Sequence, residues 1–231
     1  MESIIKLILV IILSYLIGSI PSAVIISKRF FGFDIREKGS GNMGSTNAFR
    51  VLGWKWGIIV QVMDILKGVI AVLVIAEFVG KDINLGNYTW FQDSTIVKWI
   101  AGLSAVCGHI WSAFVNFKGG KGINTAAGML VAIAPIDVSI ALGIFVLAVI
   151  FSGYISLGSI SAAFAFPSSL FVRYNLFHVD IPGYSILIYF SIILAVILIF
   201  AHRKNIIRLL KGTENRFTKL QLIKCKTTNP I

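Results

Sequence analysis

The sequence predicts an all-α polytopic membrane protein, and three observations lead there. Of its 231 residues, 57% are hydrophobic and only 13% charged, with mean hydropathy +0.87; soluble domains run near half apolar and about a quarter charged. Apolar runs at 4–26, 58–79 and 184–201 match the ~20 residues that cross a bilayer as a helix. Lys and Arg are not scattered: 16 of the 21 lie in 27–57, 117–124 and 202–231. That bias marks the three segments as cytoplasmic, and it is why the net charge of +11 does not point to a nucleic acid.

The elements follow in order. The run 4–26 is longer than the ~7–15-residue core of a secretory signal, and Glu2 balances Lys6, so it is expected to stay as the first span. The span at 58–79 carries Asp64 and Lys67, three residues apart and able to pair on a helix, which offsets the cost of their burial. A loop at 81–98 with balanced charge leads to a span at about 97–115. Residues 126–172 are almost unbroken apolar sequence. Pro135 removes a backbone donor and Asp137 is costly at mid-membrane, so a break is expected there. It leaves short helices at about 125–136 and 138–151, then one at about 155–172, before the last span at 184–201. The count is seven, with the N-terminus outside, the C-terminus cytoplasmic and the basic segments on one side. A count of five is the rival, and it would move Ser156 and Ser159 away from those segments. Trp54, Trp56, Trp90, Trp99, Trp111 and Glu77 read as boundary residues. Residues 1–216 form one domain, and 217–231 is expected to be a disordered basic tail. Cys107 and Cys225 lack the spacing of a disulfide or zinc site, and no carboxylate cluster suggests another metal.

Three polar blocks interrupt this pattern: GSGNMGSTNAFR (39–50), FKGGKGINT (117–125) and HRKNIIRLLKGTEN (202–215). Loose backbone survives beside hydrocarbon only where it lines a site. Each block combines backbone N–H groups with cations, the chemistry that holds phosphate. In the first, Ser40, Gly41 and Asn42 precede Arg50, whose guanidinium fork suits phosphate. In the second, Lys118, Gly119, Gly120 and Lys121 stand just before an apolar helix, although the Walker A spacer is missing. In the third, helical spacing aligns His202, Asn205, Ile206 and Leu209, and turns Arg203, Lys204 and Lys211 away. A histidine at the membrane boundary suits a general base or a phosphate donor. His109 falls within a span, where packing is as good an explanation, and His178 in an outer loop. The bland alternatives are solvated turns, lysine anchors and a surface amphipathic helix.

These segments, with GSIPSA (18–23), DILKG (64–68), GHIWSAFVNFKGGKG (108–122) and YISLGSI (154–160), closely resemble the bacterial integral-membrane acyl-phosphate:glycerol-3-phosphate acyltransferase family. The resemblance covers about residues 1–216. It implies seven spans in the cell (inner) membrane and a cytoplasm-facing active site without a cofactor. The reaction it implies is acyl transfer from acyl phosphate to the sn-1 hydroxyl of glycerol 3-phosphate, with transient contact to the enzyme that supplies acyl phosphate. Residue by residue, Ser40, Asn42 and Arg50 match the first functional motif and Gly119, Gly120 and Lys121 the glycine loop. His202, Asn205 and Glu214 match the third motif, and either Ser156 or Ser159 matches the active-site serine. The chain departs from the pattern at Ser45, where alanine is usual, at Ser112, where proline is frequent, and at Asn124, where a small apolar residue is common. A transporter for an organic phosphate is the competing class. It would put polar residues through the depth of several spans and produce internal halves, whereas polarity here gathers on one face. An inactive lipid-binding scaffold is a third reading.

Overall fold

The computed structural model describes residues 2–84, 93–181 and 183–216; Trp90, Cys225 and the tail 217–231 lie outside the described residues. Every regular element among the described residues is helical. Helices α1 (Glu2–Ser19) and α2 (Ser22–Phe31) are followed by the short α3 (Ser45–Val51). Helix α4 (Trp54–Ile70) runs through a π-helical turn, Ala71–Ile75, into α5 (Ala76–Phe78). Then come α6 (Asp93–Ile110), α7 (Ile123–Ile133), α8 (Pro135–Ser152), α9 (Ile155–Asn175), α10 (Tyr184–Ala201) and α11 (Arg203–Leu210). Among the described residues, six stretches are long and apolar enough to cross a membrane. The seventh helix of the expected set, α7, has 11 residues, about 16 Å at 1.5 Å per residue.

Lipid offers no hydrophobic drive for helix pairing, so close approach through small residues takes over. Helices α1 and α6 pack along each other because Gly18 lies against the Ala105 backbone and Gly108 against the Tyr15 carbonyl. Gly68 and Gly128 do the same for α4 and α7, each meeting the other helix's backbone where a side chain would stand. The opposite faces carry exposed Ile4, Ile5, Ile8 and Leu142, as expected of surfaces turned to acyl chains.

Two expectations about breaks need correction. The run 4–26 is not one helix: it stops at Ser19 and restarts at Ser22, around Pro21. The exposed carbonyls are satisfied from distant helices. Lys67 Nζ donates to Ile20 O and Ser112 Oγ to Ser19 O, both at 2.5 Å. The second break falls at Ala134, not at Pro135–Asp137. Pro135 opens α8, a position where its missing N–H costs nothing. Asp137 lies buried in the first turn of α8, accepting from Ser169 Oγ and Arg173 Nη1 of α9. Its charge ties α8 to α9 instead of ending a helix.

The expected Asp64–Lys67 pair is present, with Nζ to Oδ1 at 2.5 Å, and Ser22 Oγ donates to the same oxygen at 2.9 Å. A buried pair is tolerable only with such extra hydrogen bonds. Trp99, read as a boundary residue, is instead wholly buried, stacked on Phe190 with ring centroids 5.5 Å apart.

Candidate active site

One cleft of about 1030 Å³ draws its walls from four separated stretches, 34–50, 109–124, 145–159 and 201–215, with Gln61 and Asp64. All three polar blocks therefore meet, and Ser156 and Ser159 join them. Ser40, Gly41, Asn42, Arg50, Lys118, Gly119, Gly120, Lys121, Ser156, Ser159, His202, Asn205 and Glu214 all line it, as does Asp64; Lys67 does not.

The first block is shaped by Asn47, which the sequence alone did not single out. Asn47 is buried; its Oδ1 accepts from Ser40 N at 2.8 Å, and its Nδ2 donates to Ile35 O and Lys38 O. Asn42 Oδ1 accepts from Gly44 N at 2.8 Å. With these turns pinned, α3 carries Arg50 out into the cleft, exposed and with no acidic partner among the described residues. Arg36, also on the wall, is held by the Asp34 carboxylate at 2.7 Å. A free and a locked guanidinium thus line the same cleft, and only the former is ready for an incoming anion.

The glycine loop differs from expectation. Gly119 and Gly120 line the cleft, but their N–H groups donate to Ile110 O (3.1 Å) and His109 O (2.9 Å) at the end of α6. They act as a tight seat: a side chain on Gly119 would collide with those carbonyls, and one on Gly120 with the His109 ring. What the seat presents is Lys121, followed by α7, whose first turn has no side-chain cap on Gly122. Uncapped first-turn N–H groups carry the positive end of the helix dipole. Lys121 is half-buried and has no ion pair among the described residues. Burial pushes its ammonium down to about 8, partly opposed by Glu214. His109, left open between packing and chemistry, faces the cleft with Nδ1 3.8 Å from Asp64 Oδ1.

His202, the residue that joins α10 to α11, is 2% exposed, and its Nδ1 lies 2.8 Å from Leu198 O. A carbonyl only accepts, so Nδ1 must carry the hydrogen and Nε2 the lone pair. Burial, with the nearby Lys121 charge, lowers its pKa to about 4. The imidazole is therefore neutral near pH 7. Its bond to the backbone fixes the tautomer a general base needs.

Glu214 organises the rest. Its Oε1 accepts from Asn205 Nδ2 (2.8 Å) and Ser156 Oγ (3.1 Å), and its Oε2 from Arg208 Nε (2.7 Å). Burial alone would raise this carboxyl, but the bonds from Arg208, Asn205 and Ser156 hold it below its usual value. Asn205 is thus engaged with Glu214. The two serines separate as well: Ser156 is tied to Glu214, whereas Ser159 bonds only its own helix at Ile155 O and keeps its lone pairs toward the cleft. Arg208 was not singled out from the sequence, although it stands three residues after Asn205 on the same helical side. Arg203 and Lys204, both expected to point away, line the cleft, while Lys211 does not. The departures from the family pattern are bonded too: Asn124 Nδ2 donates to Ser45 Oγ at 2.8 Å, and Ser112 braces the α1 break.

Comparison with known proteins agrees with this geometry. A family profile described as Glycerol-3-phosphate acyltransferase matches residues 8–212. The glycerol-3-phosphate acyltransferase of Chlorobaculum tepidum is 46% identical over 224 residues, covering 90% of this chain and 95% of that protein. That of Chlorobium phaeobacteroides is 43% identical over 228 residues, covering 91% and 96%. The crystal structure of PlsY, an integral membrane glycerol 3-phosphate acyltransferase, in its glycerol 3-phosphate form superposes with a TM-score of 0.76 at 34% identity, over 93% of this chain and 96% of that one. A matching profile over most of the length, close relatives and a shared membrane fold converge on one conclusion: this chain belongs to the glycerol-3-phosphate acyltransferase family.

Proposed function

We propose that the protein moves a fatty acyl group from acyl phosphate to the sn-1 hydroxyl of glycerol 3-phosphate. The products are 1-acylglycerol 3-phosphate and inorganic phosphate. One observation supports this above the others: Arg50, Lys118 and Lys121, cations without acidic partners among the described residues, share a cleft with a buried, neutral histidine. The hydroxyl oxygen attacks the carbonyl carbon, the bond from that carbon to the phosphate oxygen breaks, and phosphate leaves with the electron pair. His202 Nε2 receives the hydroxyl proton, and Ser159 lines the same cleft. Ser40, Asn42, Arg50, Lys118 and Lys121 hold the two phosphorylated ends, and Glu214 keeps Asn205, Ser156 and Arg208 in place. Phosphate departs unprotonated, so positioning and charge neutralisation suffice. No covalent nucleophile is required.

Purified protein given acyl phosphate and radiolabelled glycerol 3-phosphate should yield a lipid-extractable product with the label. Product formed from acyl-CoA but not from acyl phosphate would overturn the donor assignment.

Seven spans in the bacterial inner membrane, with α7 as a short partial crossing and the cleft on the cytoplasmic side, fit the shared cleft. A cysteine placed at Ser156 should then be labelled from the same side as one at Lys118. Labelling of the two from opposite sides rules this arrangement out.

A further inference from the structure

The glycerol 3-phosphate site, on the reading above, is built from two loops that belong to different parts of the chain. The first ends in α3, which carries Arg50; the second ends in α7, just after Lys121. Their separation decides whether one phosphate group can reach both cations. Among the described residues, one hydrogen bond between side chains joins the stretches 34–53 and 109–125: Asn124 Nδ2 to Ser45 Oγ, 2.8 Å. The other direct polar link, Arg36 Nη1 to Val115 O, is 3.5 Å long, at the edge of hydrogen-bond range. Ser45 is the first residue of α3 and is 8% exposed; Asn124 is the second residue of α7 and half-buried. Both face the cleft. The bond also leaves chemistry over. Ser45 accepts from Asn124 and still holds its own hydroxyl proton, and Asn124 keeps its Oδ1 as an acceptor.

We propose that Asn124 and Ser45 form a clasp that sets the gap between the two phosphate-handling loops, and that both are positioning residues for bound glycerol 3-phosphate. Loss of the clasp lets the loops separate, so Arg50 and Lys121 no longer close on one ligand. The chemical step is left alone, because His202 stands at the α10–α11 junction and Ser159 on α9, which the clasp does not touch. The inference rests on the cleft being the glycerol 3-phosphate site.

The test is a double-mutant cycle on the full chain: Ser45→Ala, Asn124→Ala and both together, with kcat, the KM for glycerol 3-phosphate and the melting temperature measured for each. A net hydrogen bond of about 1 kcal/mol corresponds to roughly fivefold, so each single change should raise KM about three- to tenfold with kcat within about twofold. The double variant should be no worse than one single, since the same bond is lost only once. Ser45→Thr, which keeps the hydroxyl, should restore KM. Multiplicative effects, an unchanged KM, a lowered melting temperature without a KM change, or no rescue by Ser45→Thr would each overturn the clasp. Wild-type protein that forms no lipid-extractable product from acyl phosphate and glycerol 3-phosphate would count against the functional reading instead. The same cycle, read as inorganic phosphate affinity by calorimetry, then decides the clasp by itself.

Discussion

Replacing His202 with alanine is expected to lower kcat by about 10²–10⁴-fold, the range general-base catalysis supplies, while the protein still inserts and binds glycerol 3-phosphate. The expectation combines two facts. The Nδ1 contact to Leu198 O leaves Nε2 as the basic nitrogen, and a pKa near 4 keeps the ring neutral at physiological pH. A group whose folded pKa lies below its unfolded value of about 6.5 contributes stability above that value and loses it as pH falls toward 4. The wild-type protein should therefore weaken between pH 6.5 and 4 more steeply than His202→Ala, measured as melting temperature against pH. Near-full kcat in the alanine variant at saturating substrate would sink the base assignment and turn attention to His109.

Replacing Lys121 with alanine should cost about 10- to 150-fold in kcat/KM, because hydrogen bonds to charged groups contribute roughly 1.5–3 kcal/mol. Burial has lowered this ammonium to about 8, which adds a pH signature. As pH rises through 8 the free enzyme loses that charge, so kcat/KM should fall on the alkaline side. Lys121→Arg keeps its charge at any pH the protein survives, and whatever its absolute rate, the alkaline fall should vanish. Persistence of that limb in the arginine variant would assign it to another group.

Much of this was legible in the chain itself. The last span, 184–201, coincides with α10, because a uniformly apolar run flanked by Gly183 and His202 leaves little choice of boundary. The meeting of the three polar blocks was legible from the clustering of their glycines and cations. The break at Pro21 was harder, because what makes it tolerable is contributed by Lys67 and Ser112, far away in sequence. The glycine loop was legible as a loop but not in its direction: composition tells that amides are available, not that α6 carbonyls take two of them. For the same reason Ser156 and Ser159, one helical turn apart and alike in type, were separable only once Glu214 was placed between Ser156 and Asn205. Local pattern reports what a residue can do; long-range contacts decide which of those things it does.

Glu214 also bears on how the enzyme comes into being. It holds three site residues, from α9 and α11, yet it is itself among the last of the described residues to be synthesised. The six candidate spans all precede it in the chain, so each can enter the bilayer while the cleft still lacks the residues that Glu214 holds. Translation that stops short of residue 214 would thus leave a membrane-inserted but inert protein, and the ribosome would release a working catalyst only after completing that final stretch. Any chain end fused or trimmed close to Glu214 should therefore disturb turnover well before it disturbs the fold.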